Sequence, residues 1–135
     1  MKCAFIIGFL LAVMTCHGQT FRNTSNTLAG KIEFNGIVRD RNNMMIGKFE
    51  SDGDVRDRNN MLAGKIEKNG TIRDRNNMTI GKVESDGTVR DKNNMMVGKV
   101  KTDGAVVDRN NMTIGYANGI PAIHAAVFFF FNMFL

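Results

Sequence analysis

The stretch Val38–Met44, VRDRNNM, returns as VRDRNNM at 55–61, IRDRNNM at 72–78, VRDKNNM at 89–95 and VVDRNNM at 106–112. The spacing is 17 residues each time (55 − 38 = 17). A strict internal period marks a repeat protein, in which each unit is one supersecondary element that buries its apolar face only against its neighbours. Working outward, five copies of one unit run from Gly30 to Ile114, starting at Gly30, Gly47, Gly64, Gly81 and Gly98. The unit reads G-K-(apolar)-E-x-(N/D)-G-x-(V/I)-R-D-(R/K)-N-N-M-x-(apolar). Half a unit, TFRNTSNTLA, precedes the copies, and a fragment, GYA, follows them.

Each copy holds two turn signals, NG or DG and DRNN, which predicts two short strands per copy. Register specifies the turns further. A two-residue loop at Asn69-Gly70 would set Ile66 opposite Arg73, whereas a three-residue loop, Lys68-Asn69-Gly70, sets Ile66 opposite Ile72. The second choice is a type I turn followed by a left-handed residue, a conformation that Gly adopts without a Cβ penalty. At the other corner the same test makes Asp74 the first turn residue and Asn77 the left-handed one, with Ile72 facing Ile80. Asp suits that first position because its carboxylate accepts backbone N–H bonds, and Asn tolerates the left-handed region. The expected turn-makers are therefore Gly36, Gly53, Gly70, Gly87 and Gly104 at one corner. At the other they are Asp40, Asp57, Asp74, Asp91 and Asp108 with Asn43, Asn60, Asn77, Asn94 and Asn111.

Ile80 and Val83 are both expected to face the core, although three residues separate them and a strand alternates every two. An extra residue at Gly81-Lys82, a β-bulge, restores the phase and bends the strand. Repeated in five copies, the bend curves the meander into a closed or nearly closed ring, which removes exposed edges. The expected core of one unit includes Ile66, Ile72, Met78 and Ile80. Met44, Met61, Met78, Met95 and Met112 read as adaptable filler. The fold class is all-β: an antiparallel meander of five hairpin repeats around an axis, with an apolar C-terminal segment packed on the ring.

That segment is GIPAIHAAVFFFFNMFL, Gly119–Leu135. It is too short for a membrane helix and lacks basic flanks. Its four consecutive phenylalanines do not alternate as a membrane-barrel strand would. Pro121 suits the first turn of a helix, while Val127–Phe131 favours a strand, and both conformations stay open. In either one the tail is expected to complete the core. The competing reading is an exposed patch for a partner or a membrane surface.

Residues 1–18 have the three parts of a secretory leader: Lys2, the apolar run Ala4–Met14 and the small-residue exit at Cys16-His17-Gly18. Cleavage after Gly18 leaves a repeat domain at 19–118, with full repeats at 30–114, and the apolar segment at 119–135. Cys3 and Cys16 both lie in the leader, so the mature chain is expected to carry no thiol, disulfide or cysteine-based metal site. Acylation of Cys16 is the alternative fate, with Thr15 standing where lipidation signals carry Gly, Ala or Ser. Losing Lys2 takes the formal charge from +5 to +4. The basic residues are interleaved with acids and form no concentrated face, which argues against nucleic acid as a partner.

The exported leader, the G-K-x-E-x-(N/D)-G-x-V-R-D units and the closing IGYANGIP…AAVFFFF together resemble the five-fold β-flower proteins, small exported proteins of Bacteroidota. The resemblance implies hairpin petals set around an axis and an extracytoplasmic address, and no catalytic or binding residues come with it. The leading half-unit could pair with the trailing fragment, so five and six petals both stay open.

The residues give little to an enzyme. His124 is the one histidine after the leader and sits in the apolar tail, where a satisfied structural histidine is expected. No P-loop or dinucleotide glycine pattern is present, and catalysis needs different groups converging on one place rather than one set in rotation. No cofactor is expected. A binding role is better served by the outward face, where Lys, Glu and Arg fall side by side. They are Lys31, Glu33 and Arg39; Lys48, Glu50 and Arg56; Lys65, Glu67 and Arg73; and Lys82, Glu84 and Arg90. The fifth copy breaks the pattern with Lys101 and Val107. Cross-strand ion pairs are the plain reading of this face. The sharper one makes the lysines and arginines a multivalent surface for an anionic glycan or envelope polymer. In SDGDVRD at 51–57 the other copies replace Asp54 by Ile37, Thr71, Thr88 or Ala105, and the stretch lacks the glutamate-closed EF-hand loop, so its closely spaced acids are not read as a calcium site. The function that remains is a non-enzymatic scaffold of the cell envelope, with an envelope protein or polysaccharide as partner.

Overall fold

The computed structural model describes residues 19–131, 133 and 134; the leader reading at 1–18 lies outside them. Twelve strands follow in order: β1 Gln19–Arg22, β2 Leu28–Ile32, β3 Ile37–Asp40, β4 Met45–Phe49, β5 Asp54–Asp57 and β6 Leu62–Ile66. Then come β7 Thr71–Asp74, β8 Thr79–Val83, β9 Thr88–Asp91, β10 Met96–Val100, β11 Ala105–Asp108 and β12 Thr113–Tyr116, before one helix, α1, Ala122–Phe130. Each strand pairs antiparallel with its neighbours in sequence, and β1 pairs with β12 to close a barrel. Six hairpins therefore surround the axis. The two half-units supply β1 and β12 and meet at Arg22 opposite Tyr116.

The corners show why the units fold alike. Asn43, Asn60, Asn77, Asn94 and Asn111 have φ between 67° and 69°, and Asn26 joins them at 65°. In the first copy the Asp40 carboxylate accepts the N–H groups of Asn42 (2.9 Å) and Met44 (3.0 Å). The same pair of bonds recurs on Asp57, Asp74, Asp91 and Asp108. At the opposite corner Gly70 has φ 95°, and its N–H donates to the Glu67 carbonyl at 2.9 Å. Its own carbonyl accepts the Val83 N–H at 2.9 Å, which ties one hairpin to the next. Gly36, Gly53, Gly87 and Gly104 repeat this conformation at φ 94–99°.

Ile66 lies opposite Ile72. Ile72, however, faces Gly81 rather than Ile80, and the bulge falls at Ile80, one residue earlier than the alternation alone suggested. Ala29, Ile46, Ala63, Val97 and Ile114 occupy the same extra position in the other hairpins. The reason lies in the tail. The shift turns Gly30, Gly47, Gly64, Gly81, Gly98 and Gly115 inward, and each leaves the space that one tail side chain fills. A Cβ on Gly81 would stand 2.5 Å from the Phe131 ring and 2.6 Å from the Arg90 carbonyl oxygen. Around the barrel Phe128 meets Gly30, Phe129 meets Gly115, Phe130 meets Gly98, Phe131 meets Gly81, Met133 meets Gly64 and Phe134 meets Gly47. Successive tail residues thus visit successive hairpins, which explains a run of phenylalanines with no alternation.

Around these sockets the inward side chains Phe21, Val38, Val55, Ile72, Val89 and Val106 are fully buried, one per hairpin. Phe21 stacks on Phe128 with ring centroids 3.9 Å apart. The tail settles as a helix because a closed barrel has no free strand edge to offer, whereas a helix satisfies its own backbone. Gly119 at φ 77° and Pro121 turn the chain into it. Ala125, Ala126 and Val127 are fully buried, so the tail is core rather than an exposed patch.

The methionines are the other correction. Met44, Met61, Met78, Met95 and Met112 are 60–64% exposed and form no part of the core. Each directly follows the left-handed Asn, so it leaves the corner before pairing begins and projects from the rim. Within the barrel Gly81 and Val83 take the inward positions of their strand, and Ile80 packs only partly against the core.

Candidate functional site

On the outer wall each corner aspartate is preceded by an outward residue, an arginine in four of the five copies. Arg39, Arg56, Arg73 and Arg90 stand in register beside Lys31, Lys48, Lys65 and Lys82. Their Nε groups lie on Glu33 (3.0 Å), Glu50 (3.3 Å), Glu67 (2.7 Å) and Glu84 (3.0 Å). Their terminal nitrogens donate to the carbonyls of Asn43, Asn60, Asn77 and Asn94 at 3.1–3.3 Å. Every such guanidinium braces a corner with one edge and neutralises a carboxylate with the other. The lysines beside them form no salt bridge among the described residues. In the fifth copy Val107 lies opposite Lys99 and is buried at 2% exposure.

The acids of 51–57 are likewise in use. Asp52 accepts the Asp54 N–H at 3.0 Å, Asp54 lies 3.6 Å from Arg56, and Asp57 holds its corner. At the equivalent corner of the fourth copy, the backbone N–H and hydroxyl of Thr88 hold the Asp86 carboxyl below its ordinary range. Among the described residues no group of His, Cys, Asp and Glu is placed to hold a metal ion, and no helix is long and apolar enough to cross a membrane.

His124 departs from expectation. Its ring stacks on Phe49, centroids 4.1 Å apart and 14° from parallel, but Nδ1 is buried with no hydrogen-bond partner among the described residues. Burial pushes its pKa down to about 4, so the ring is neutral and held by stacking rather than by hydrogen bonds.

The sixth hairpin breaks the rotation. Arg22 occupies the arginine register and donates to the Asn26 carbonyl at 3.2 Å, like its counterparts. Its neighbour in register is Tyr116, where the other hairpins carry a lysine. Asn118 stands where they carry Glu33, Glu50, Glu67 and Glu84. Beside these residues lies a cleft of about 480 Å3 lined by Thr20, Arg22, Thr24, Asn26, Tyr116 and Asn118. The sequence reading weighs the half-units for the number of petals and not for the side chains they would bring together. The signal was there: TFRNTSNT and GYAN, laid on the 17-residue unit, put Arg22 in the arginine column and Asn118 in the glutamate column.

Neither a search of curated proteins nor one of solved structures found a match. A family model described as 5-fold beta-flower protein matches residues 18–133. With the repeat, the petals and the tail all spanned by that match, the chain belongs to the 5-fold beta-flower protein family.

Proposed function

We propose that the protein is an exported, non-enzymatic scaffold of the cell envelope that makes its contacts through side chains repeated around the barrel. The observation that carries this reading is the division of labour along the unit. Aspartates hold corners, arginines hold glutamates and corner carbonyls, and the tail histidine is neutral and enclosed, while five methionines at the rim stay exposed. Exposed, unbranched methionines adapt to varied partner surfaces, and equal contacts repeated on a rigid body gain avidity. The test is crosslinking in the native envelope with the wild type and a variant carrying Gln at positions 44, 61, 78, 95 and 112. The reading expects discrete adducts that the variant loses. Identical adducts from both proteins would refute the methionine rim as the contact.

A second reading rests on the lysines. Lys31, Lys48, Lys65 and Lys82 remain unneutralised beside ion-paired arginines, which suits weak multivalent binding of an anionic polymer. A glycan array at low and physiological salt tests it, because such contacts weaken as ions screen them. Absence of salt-sensitive binding to acidic polymers rules it out.

A further inference from the structure

We infer that the seam between β1 and β12 is a binding site for the carboxylate-bearing sugar of an acidic polysaccharide, a uronic acid residue. The argument uses none of the rim methionines or outer lysines, so it stands or falls apart from both readings above.

In four hairpins the arginine Nε edge holds a glutamate from the adjoining strand. On Arg22 the terminal nitrogen braces its corner as usual, but no carboxylate meets the guanidinium among the described residues, because Asn118 replaces the glutamate. The missing partner leaves a vacancy of defined chemistry. A planar guanidinium offers parallel N–H groups that match a carboxylate, and the bond to the Asn26 carbonyl holds its other edge in place. A ligand carboxylate here takes over the role that Glu33 plays on Arg39.

The rest of the lining points to a sugar rather than a bare anion. Thr20, Thr24, Asn26 and Asn118 supply hydroxyl and amide groups able to donate to and accept from sugar hydroxyls. Tyr116, the one tyrosine of the chain, stands beside Arg22 in register and supplies an aromatic surface with a polar tip. A volume of about 480 Å3 falls within the ordinary span of small-molecule sites. The seam is also where the ring is least continuous. One registered pair joins β1 to β12, whereas three join β2 to β3.

The test is isotope-edited NMR titration of the folded protein with a glucuronate-containing disaccharide, its neutral glucose counterpart and acetate. Saturable shifts confined to the seam, at Thr20, Arg22, Tyr116 and Asn118, are expected for the acidic disaccharide, with affinity at least about tenfold above the neutral sugar and acetate. Arg22→Gln should lower affinity about tenfold or more. Asn118→Glu, at an exposed position, should abolish binding by restoring to Arg22 the partner its counterparts have. A parallel variant, Arg56→Gln, should bind as the wild type does. The inference is overturned by equal shifts with acetate, by unchanged binding in Asn118→Glu with its fold intact, by shifts at the lysines instead of the seam, or by none at about 10 mM ligand.

Discussion

Acidification should weaken this fold through one ring. His124 titrates near its ordinary value of 6.5 when the chain is unfolded, and burial lowers this to about 4 in the barrel. Between those values the unfolded state binds more protons, so stability falls as pH falls. The contribution is complete above the unfolded value and is lost progressively down to the folded one. Each unit of separation is worth about 1.4 kcal/mol, so the loss amounts to about 2 kcal/mol at pH 5 and about 3 kcal/mol at pH 4. Carboxylates titrate in part of this window too, and the comparison with His124→Phe separates them. That variant keeps an aromatic face for Phe49 and removes the unpartnered Nδ1. Urea unfolding from pH 7 to 4 should show the wild type losing about 2–3 kcal/mol more than His124→Phe. At neutral pH the variant should be at least as stable, since burying a polar atom without a partner costs about 1–3 kcal/mol. Parallel pH profiles for the two proteins would refute the account, because the histidine would then be as free to take a proton in the barrel as outside it.

Three further outcomes follow from the packing. Gly81→Ala drives a methyl group between the Phe131 ring and the Arg90 carbonyl and should cost about 1–3 kcal/mol, read as a lower melting temperature with an unchanged far-UV spectrum. Asp74→Ala strips two N–H groups of their acceptor and should cost about 1–2 kcal/mol by denaturant titration. Deleting residues 119–135 empties all six glycine sockets. It should give a product without a cooperative thermal transition, and a variant that melts sharply at the wild-type temperature would show that the tail is not core.

The corners were the most legible part of the fold, because they depend on local chemistry that a sequence displays directly. Asn77 and Gly70 are among the few residue types that accept a positive φ cheaply, and Asp74 among the few whose side chain can hold two backbone donors. The site of the bulge was not legible from one unit. An extra residue at Ile80 or at Gly81-Lys82 repairs the alternation equally well, and the choice between them is made by Phe131, 50 residues beyond Gly81 (131 − 81 = 50). Met78 misled for a related reason: an apolar residue flanking a strand looks like core until the corner that precedes it is placed. The helix at 122–130 needed the closed barrel around it, since propensity alone pulls alanines one way and phenylalanines the other. Arg22 and Asn118 become neighbours only when the two terminal half-units are brought side by side.

The winding of the tail ties the number of modules to the spelling of one short segment. Nearly identical tandem units are easily gained or lost when genes recombine, and many repeat proteins tolerate such changes in length. Here an added unit would present a socket with no occupant, and a lost one would leave an aromatic ring without a seat. Copy number in this lineage should therefore change only together with the last few codons, which makes the terminal apolar side chains, five rings and Met133, a written count of the modules they close.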